Sequence, residues 1–298
     1  MCGPTSSSSA RHRPMTCLSE ELNVARELAL EAGQVALAYL QRGPTALAAY
    51  DKPDGGGLVT RADFELDEMI GSRLRRRYPS DAVLTEESPD DGERHRRDRC
   101  WMIDPIDGTR DFAGGLATWA IHVGLCIAGV PRLGVVAEPA TGRVTWGICT
   151  GARREAVSET AARSDALRID HSVTPLHVVS PCDAHEPDIG RLVTTLTARH
   201  ERRLGSVGIK LCAVARGTVD VYVHPTAGTS LWDTCAPQAI VEAAGGRLTD
   251  VAGAKLQHHG PGSRHEHGLL AASGRVHPQV IAAMPSHLRR WAEAVGPR

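Results

Sequence analysis

No apolar stretch in this 298-residue sequence is long enough to span a bilayer, so no membrane-embedded segment is expected. The first residues carry Ser6 to Ser9, then Arg11 and Arg13, without the apolar segment of a secretory signal. Residues 1–16 are expected to be a disordered tail, and the cytoplasm is the expected location. There is no C-x-x-C pair. The eight cysteines (Cys2, Cys17, Cys100, Cys126, Cys149, Cys182, Cys212, Cys235) are scattered, several inside apolar runs, which suits reduced thiols better than disulfides or zinc. A charge excess is missing too: the formal net charge is -1, and no overall basic field draws a nucleic acid polymer or an anionic membrane. The run Gly55 to Gly57 lacks the Gly-Lys-Ser of a phosphate-binding loop and reads as a flexible flap. No internal repeat and no nucleophile motif stand out.

What is present is ordinary for a soluble globular protein: 42% hydrophobic and 23% charged residues, in a length that buries one large domain or two joined lobes. Ser19 is expected to cap a helix whose first turn holds Glu20 and Glu21, with Gly43 and Pro44 ending it. A second helix is expected over 60–78. Short strands follow at Ala82–Leu84, Trp101–Ile103, Ala120–Ile127, Leu133–Ala137 and Arg143–Ile148. From about residue 160 the pattern alternates: strand Leu176–Ser180, helix Ile189–His200, helix Val207–Arg216, strand Val219–Val223, helix Leu231–Ala244, strand Gly268–Ala272 and a helical tail. The expected organisation is therefore an N-terminal α+β lobe over 17–160 and a C-terminal α/β lobe over 161–298.

The most informative stretch is Trp101-Met102-Ile103-Asp104-Pro105-Ile106-Asp107-Gly108-Thr109-Arg110-Asp111. An apolar strand enters a turn that carries two acids three residues apart. Pro105 is expected to stop the sheet ladder, and Gly108 to permit a tight turn. Two carboxylates and the Ile106 carbonyl then share one space, which suits a hard divalent cation. Taken alone, the same acids also suit a solvated turn. Glu86 and Glu87 close another apolar strand, and Asp233 opens a helix. Thr60 and Asp63 match a capping box, a purely structural use of that spacing.

Taken together, these residues resemble the inositol monophosphatase-like, lithium-sensitive metallophosphatases. Asp104-Pro105-Ile106-Asp107-Gly108-Thr109 matches that family's signature, with Glu86-Glu87 upstream, Trp232-Asp233 downstream and Val59-Thr60-Arg61-Ala62-Asp63 ahead of both. The resemblance implies a layered α-β-α-β-α sandwich of the inositol monophosphatase / fructose bisphosphatase type. It implies two or three Mg2+ ions on Glu86, Asp104, the Ile106 carbonyl, Asp107 and Asp233, with Glu87 beside them. Asp63 and Thr109 would activate a water, and Glu86 would join the catalytic set. The reaction implied is transfer of a phosphoryl group to water, without a phosphoenzyme.

Gly205-Ser206-Val207-Gly208-Ile209-Lys210 and Trp232-Asp233-Thr234-Cys235-Ala236-Pro237 look like the 3'(2'),5'-bisphosphate nucleotidase branch. That branch removes the 3'-phosphate of adenosine 3',5'-bisphosphate, and Lys210 suits a second phosphate. Gly108, Thr109, Arg110, Ser206, Lys210 and Thr229 are the expected substrate contacts. Two positions depart from the branch. Val179-Ser180-Pro181-Cys182-Asp183-Ala184-His185 lacks the usual Arg, and Thr85 stands where Gly is common. The alternatives are an inositol or sugar monophosphate phosphatase and, more remotely, a non-catalytic phosphate-ligand-binding protein. The expected partner is a small phosphorylated metabolite, and the resemblance allows a homodimer. His258, His259, His265 and His267 are expected in a polar loop rather than a metal site, and Arg94 to Arg99 in a solvated flap.

Overall fold

The computed structural model describes residues 17–53, 55–151, 153–169, 175–181, 186–201 and 205–294. The tail over 1–16 and the Cys182 to His185 departure lie outside the described residues. Helix α1 (Ser19–Arg42) buries Leu22, Ala25, Ala29, Ala32 and Ala36 along one stripe. Leu18 occupies its cap position and no side chain caps it, so Ser19 is the first helical residue rather than the cap. After the short α2 (Pro44–Leu47), strands β1 (Tyr50–Asp51) and β2 (Leu58–Val59) form an antiparallel hairpin. Gly55 to Gly57 lie in its turn, which Lys52 closes by donating its N–H to the Gly57 carbonyl at 2.8 Å. Helix α3 (Arg61–Arg77) follows, capped by Thr60.

Strands β3 (Ala82–Thr85), β4 (Arg99–Asp107), β5 (Ala120–Ile127), β6 (Val130–Glu138), β7 (Arg143–Cys149), β8 (Arg154–Glu159) and β9 (Ser164–Ala166) make a seven-stranded sheet in chain order. Only β3 and β4 run parallel. Pro105 does not end the ladder. β4 continues through it to Asp107, with the register slipping between Asp104 and Asp107 before pairing resumes at Asp107 and Ala120. The bulge absorbs the missing proline N–H and re-aims the side chains around it. The five-residue α4 (Thr109–Ala113) leaves from that point.

The second half supplies β10 (His177–Val179), α5 (Glu186–Leu196), β11 (Arg199–Glu201), α6 (Val207–Ala215), β12 (Val221–His224), α7 (Leu231–Ala243), β13 (Gly246–Thr249) and β14 (Leu269–Ser273). Helices α8 (His277–Ala283) and α9 (Ser286–Ala294) close it. Its five strands are ordered β11-β10-β12-β14-β13. The expected helix over 189–200 stops at Leu196, because Thr197 turns to a φ of 51° and His200 enters strand β11.

Three apolar clusters explain the layering. One joins α1 and α3 to the large sheet, a second holds α6 and α7 between the two sheets, and a third packs α5, α8 and α9 outside the small sheet. The order is thus helix, sheet, helix, sheet, helix, which is the expected α-β-α-β-α sandwich. Helix α7 lies unusually close to the large sheet. Gly124, Gly134 and Gly147 are neighbours across β5, β6 and β7, forming a row without side chains. A Cβ at Gly124 would meet Ala236 N at 2.8 Å, one at Gly147 would meet Ile240 Cα at 2.8 Å, and one at Gly134 would overlap the Ala236 carbonyl.

Candidate active site

Asp63 and Asp233 are positioned in the same way, each at the third residue of a helix. The Thr60 N–H donates to Asp63 Oδ2 at 2.8 Å and the Thr60 hydroxyl does so at 2.6 Å. The Ser230 N–H donates to Asp233 Oδ2 at 2.7 Å. Capping leaves the other oxygen of Asp63 available: Oδ2 caps, while Oδ1 accepts from the Thr109 hydroxyl at 3.2 Å. That hydroxyl also lies 3.0 Å from the Ile106 carbonyl. Burial raises the Asp63 carboxyl to about 6, although both Thr60 and Thr109 pull the other way.

The bulge of β4 brings Asp104 and Asp107 beside Glu86 at the end of β3 and Asp233 at the start of α7. Asp104 is fully buried. Burial first, then the charges of Glu86, Asp107, Asp233 and Asp63, push its carboxyl well above the ordinary value. Asp233 is lifted to about 7 by burial and by Asp107 and Glu86. Asp107 behaves oppositely. Burial would raise it, but His122, Ser206 and Gly208 hold it at about 2. The Ser206 hydroxyl and the Gly208 N–H (2.8 Å) both donate to Asp107 Oδ2, and His122 Nε2 lies 3.1 Å from the same oxygen. Gly208 is required here because a Cβ would overlap the His122 ring.

This acidic cluster fits divalent cations on two observations. Asp104 Oδ1 is buried with no hydrogen-bond partner, and Asp104, Asp107 and His122 offer ligand atoms within 4.8 Å of one another. Hard carboxylate and carbonyl oxygens are the donors magnesium takes. At the rim, Lys52 Nζ pairs with Glu86 Oε1 at 3.1 Å and with Glu87 Oε1 at 2.7 Å. Burial raises Glu87 to about 7 despite that ammonium.

The expected substrate contacts spread around this centre. Gly108 has a φ of 93°, and a Cβ there would come 3.1 Å from the Thr118 carbonyl. Ser206 caps α6 and grips Asp107. Lys210 is buried, its ammonium donating to the Gly205 carbonyl at 2.8 Å and lying 5.7 Å from the Tyr222 ring centre. Thr229 is buried with its hydroxyl unpartnered. Arg110 is exposed and makes no ion pair among the described residues; its neighbour Asp111 accepts instead from the Thr118 hydroxyl at 2.5 Å.

The pattern of the Inositol monophosphatase family matches residues 18–289. The chain belongs to the inositol monophosphatase family. A histidinol-phosphatase of Mycobacterium tuberculosis is 32% identical over 89% of this chain and 98% of its own length. A 3'-phosphoadenosine 5'-phosphate phosphatase of Mycobacterium bovis is 34% identical over 66% of this chain and 71% of its own. An inositol-1-monophosphatase of Synechocystis is 32% identical over 82% and 83%. Among solved structures, an inositol monophosphatase from Anabaena superposes with a TM-score of 0.70 at 27% identity, covering 90% of this chain and 97% of that one.

In this family phosphatase, three residues beyond the expected set shape the site. His122 gave no signal, being a lone histidine in the apolar run of β5. Lys52 was hidden in a hairpin read only as a flap. Asp67 on α3 is buried and accepts from the Thr85 hydroxyl at 2.9 Å, the Ser88 hydroxyl at 2.5 Å and the Glu87 N–H at 3.2 Å. Thr85 therefore anchors the Glu86-Glu87 turn. One further expectation is corrected and one is refined. Arg94 is buried, bonded to Asp90 at 2.6 Å and to the Gly260 carbonyl at 2.8 Å, so that basic run is not wholly a solvated flap. His258 and His265 lie in a loop but are buried, both against the Thr234 hydroxyl at 3.1 and 2.7 Å.

Proposed function

We propose that this protein is a magnesium-dependent phosphatase that hydrolyses the phosphate monoester of a small metabolite with an activated water. The observation that carries the reading is the like-charged set of Glu86, Asp104, Asp107 and Asp233, with Asp104 and Asp107 buried and one Asp104 oxygen unpartnered. Glu86, Asp104, the Ile106 carbonyl, Asp107 and Asp233 would hold the cations. Bound magnesium would supply charge to meet the phosphoryl oxygens and would lower the pKa of a coordinated water. The chain's own contribution is a proton path: the Thr109 hydroxyl accepts from water while donating to Asp63 Oδ1. Asp63 at about 6 is poised as a base near neutral pH. Asp107, held anionic by His122, Ser206 and Gly208, stays a ligand across the working range. Treatment with a chelator should abolish phosphate release and added magnesium should restore it; turnover that survives the chelator would refute the reading.

We assign the 3'-phosphate of adenosine 3',5'-bisphosphate as the preferred ester. Lys210 supports this, a buried cation on the short helix that Ser206 caps, and Ser206 touches Asp107. Two phosphates on one substrate need a cation beyond the metal centre. Histidinol phosphate is the second reading, favoured by the M. tuberculosis relative aligned over 98% of its length. A phosphate-release panel of the bisphosphate, histidinol phosphate, inositol 1-phosphate and sugar phosphates separates them. The nucleotide should show the highest kcat/KM, reduced about 10- to 100-fold by Lys210→Ala, as loss of a charged hydrogen bond implies. A preference for a single-phosphate alcohol, indifferent to Lys210→Ala, would defeat the assignment.

A further inference from the structure

A cavity of about 730 Å³ opens where the edge of the large sheet meets α6, and none of the site carboxylates lines it. Its walls carry Arg143, Arg163, Arg168 and Arg216 against only two acids, Glu138 and Asp165. That is an excess of two positive charges on a chain whose net charge is -1. The four guanidinium groups are unequally satisfied. Arg216 pairs with buried Glu138 at 2.7 Å and Arg163 pairs with Asp165. Arg143 makes a single weak contact to the Ser158 hydroxyl at 3.4 Å, and Arg168 has no partner among the described residues.

The geometry points to a second anion site in this cavity, separate from the phosphatase centre, that takes a nucleotide-sized polyanion. The volume suits such a ligand, since small-molecule sites run from about 300 to 1,000 Å³. Guanidinium groups bind phosphate or carboxylate in a two-pronged fashion, and Arg143 and Arg168 have donors to spare. Leu167 and Ile209 give the cavity an apolar floor for the ligand's body. Two of its lining residues adjoin segments that border the carboxylate cluster. Thr118 in its wall holds Asp111, and Ile209 follows the Gly208 whose N–H grips Asp107.

The test uses the full chain with magnesium and adenosine 5'-triphosphate as probe, followed by calorimetry. Saturable, salt-sensitive binding is expected, with Kd raised at least tenfold in Arg143→Gln/Arg168→Gln and retained in Asp107→Asn. The double variant should keep the wild-type melting temperature. Absence of saturable binding would overturn the proposal. So would binding lost in Asp107→Asn but kept in the arginine variant, which would place the probe among the carboxylates. A wild-type dimer that dissociates in the arginine variant without anion binding would also overturn it, assigning the arginines to a contact between copies. Because the readout is binding and not turnover, failure here leaves the phosphatase reading standing.

Discussion

At the scale of single residues, one carboxylate of the candidate site serves two sets of partners with different oxygens. Asp63 Oδ2 caps a helix and Oδ1 faces the Thr109 hydroxyl, so the backbone of α3 fixes the aim of the second oxygen. Asp63→Asn keeps the acceptor that caps the helix but removes the base. It is expected to lower kcat by about 10²- to 10⁴-fold with little change in melting temperature, read by steady-state kinetics beside thermal unfolding. Asp107 shows the opposite tuning. His122 and two donors hold it anionic at about 2, while its neighbour Asp104 is driven up by burial and by surrounding charge. Environment, not residue type, separates the roles of these acids.

At the scale of elements, the row of Gly124, Gly134 and Gly147 decides where α7 rests, and α7 carries Asp233. Pro237 sits within that helix, so the Asp233 carbonyl loses its usual intrahelical donor without breaking the element. The helix survives because its apolar residues are clamped between two sheets. Gly134→Ala inserts a methyl group against the Ala236 carbonyl. It is expected to cost about 1–3 kcal/mol, measured by denaturant unfolding, and to reduce turnover by displacing Asp233. A variant of unchanged stability would show that the helix does not rest on that strand. The bulge in β4 is a second device of this kind, since it lets a proline pass through a paired strand and puts two acids on one side.

At the scale of the whole molecule, burial and the crowding of like charge raise the carboxyls of Asp104 and Asp233, and a bound cation would offset that charge. Magnesium at a hundred times its dissociation constant should stabilise the protein by about 2.7 kcal/mol, seen as a rise in melting temperature that a chelator reverses. A second expectation concerns acid. Burial holds His265 down to about 4 and His258 well below its ordinary value, so both are neutral in the fold. A histidine whose folded pKa is depressed binds its proton first in the unfolded chain. Its contribution is present above about 6.5 and is lost as pH falls toward 4, amounting to about 3 kcal/mol for His265. Asp63 and Asp233, raised by burial, act with the opposite sign. The comparison is therefore wild type against His265→Gln in melting curves from pH 7.5 to 4.5. The variant should lose less stability over that range; parallel curves would show that His265 is not buried neutral.

The sequence by itself singled out the acids of the candidate site: those of the Asp104 to Thr109 run, Glu86, Asp233 and the Thr60-Asp63 pair. Short motifs around turns and helix starts are local, and local backbone geometry is written in neighbouring residues. It also determined most of the elements, because apolar spacing and Gly or Pro punctuation act over a few positions. Only the tertiary structure decided that His122 meets Asp107, that Lys52 covers Glu86 and Glu87, and that Arg94 and the paired histidines are buried. Those contacts join segments far apart in the chain, and burial changes what a charged side chain does without leaving any trace in its neighbours. The seat of α7 on the glycine row belongs to the same class: Gly124, Gly134 and Gly147 lie apart in the chain, and only the pairing of three strands places them side by side.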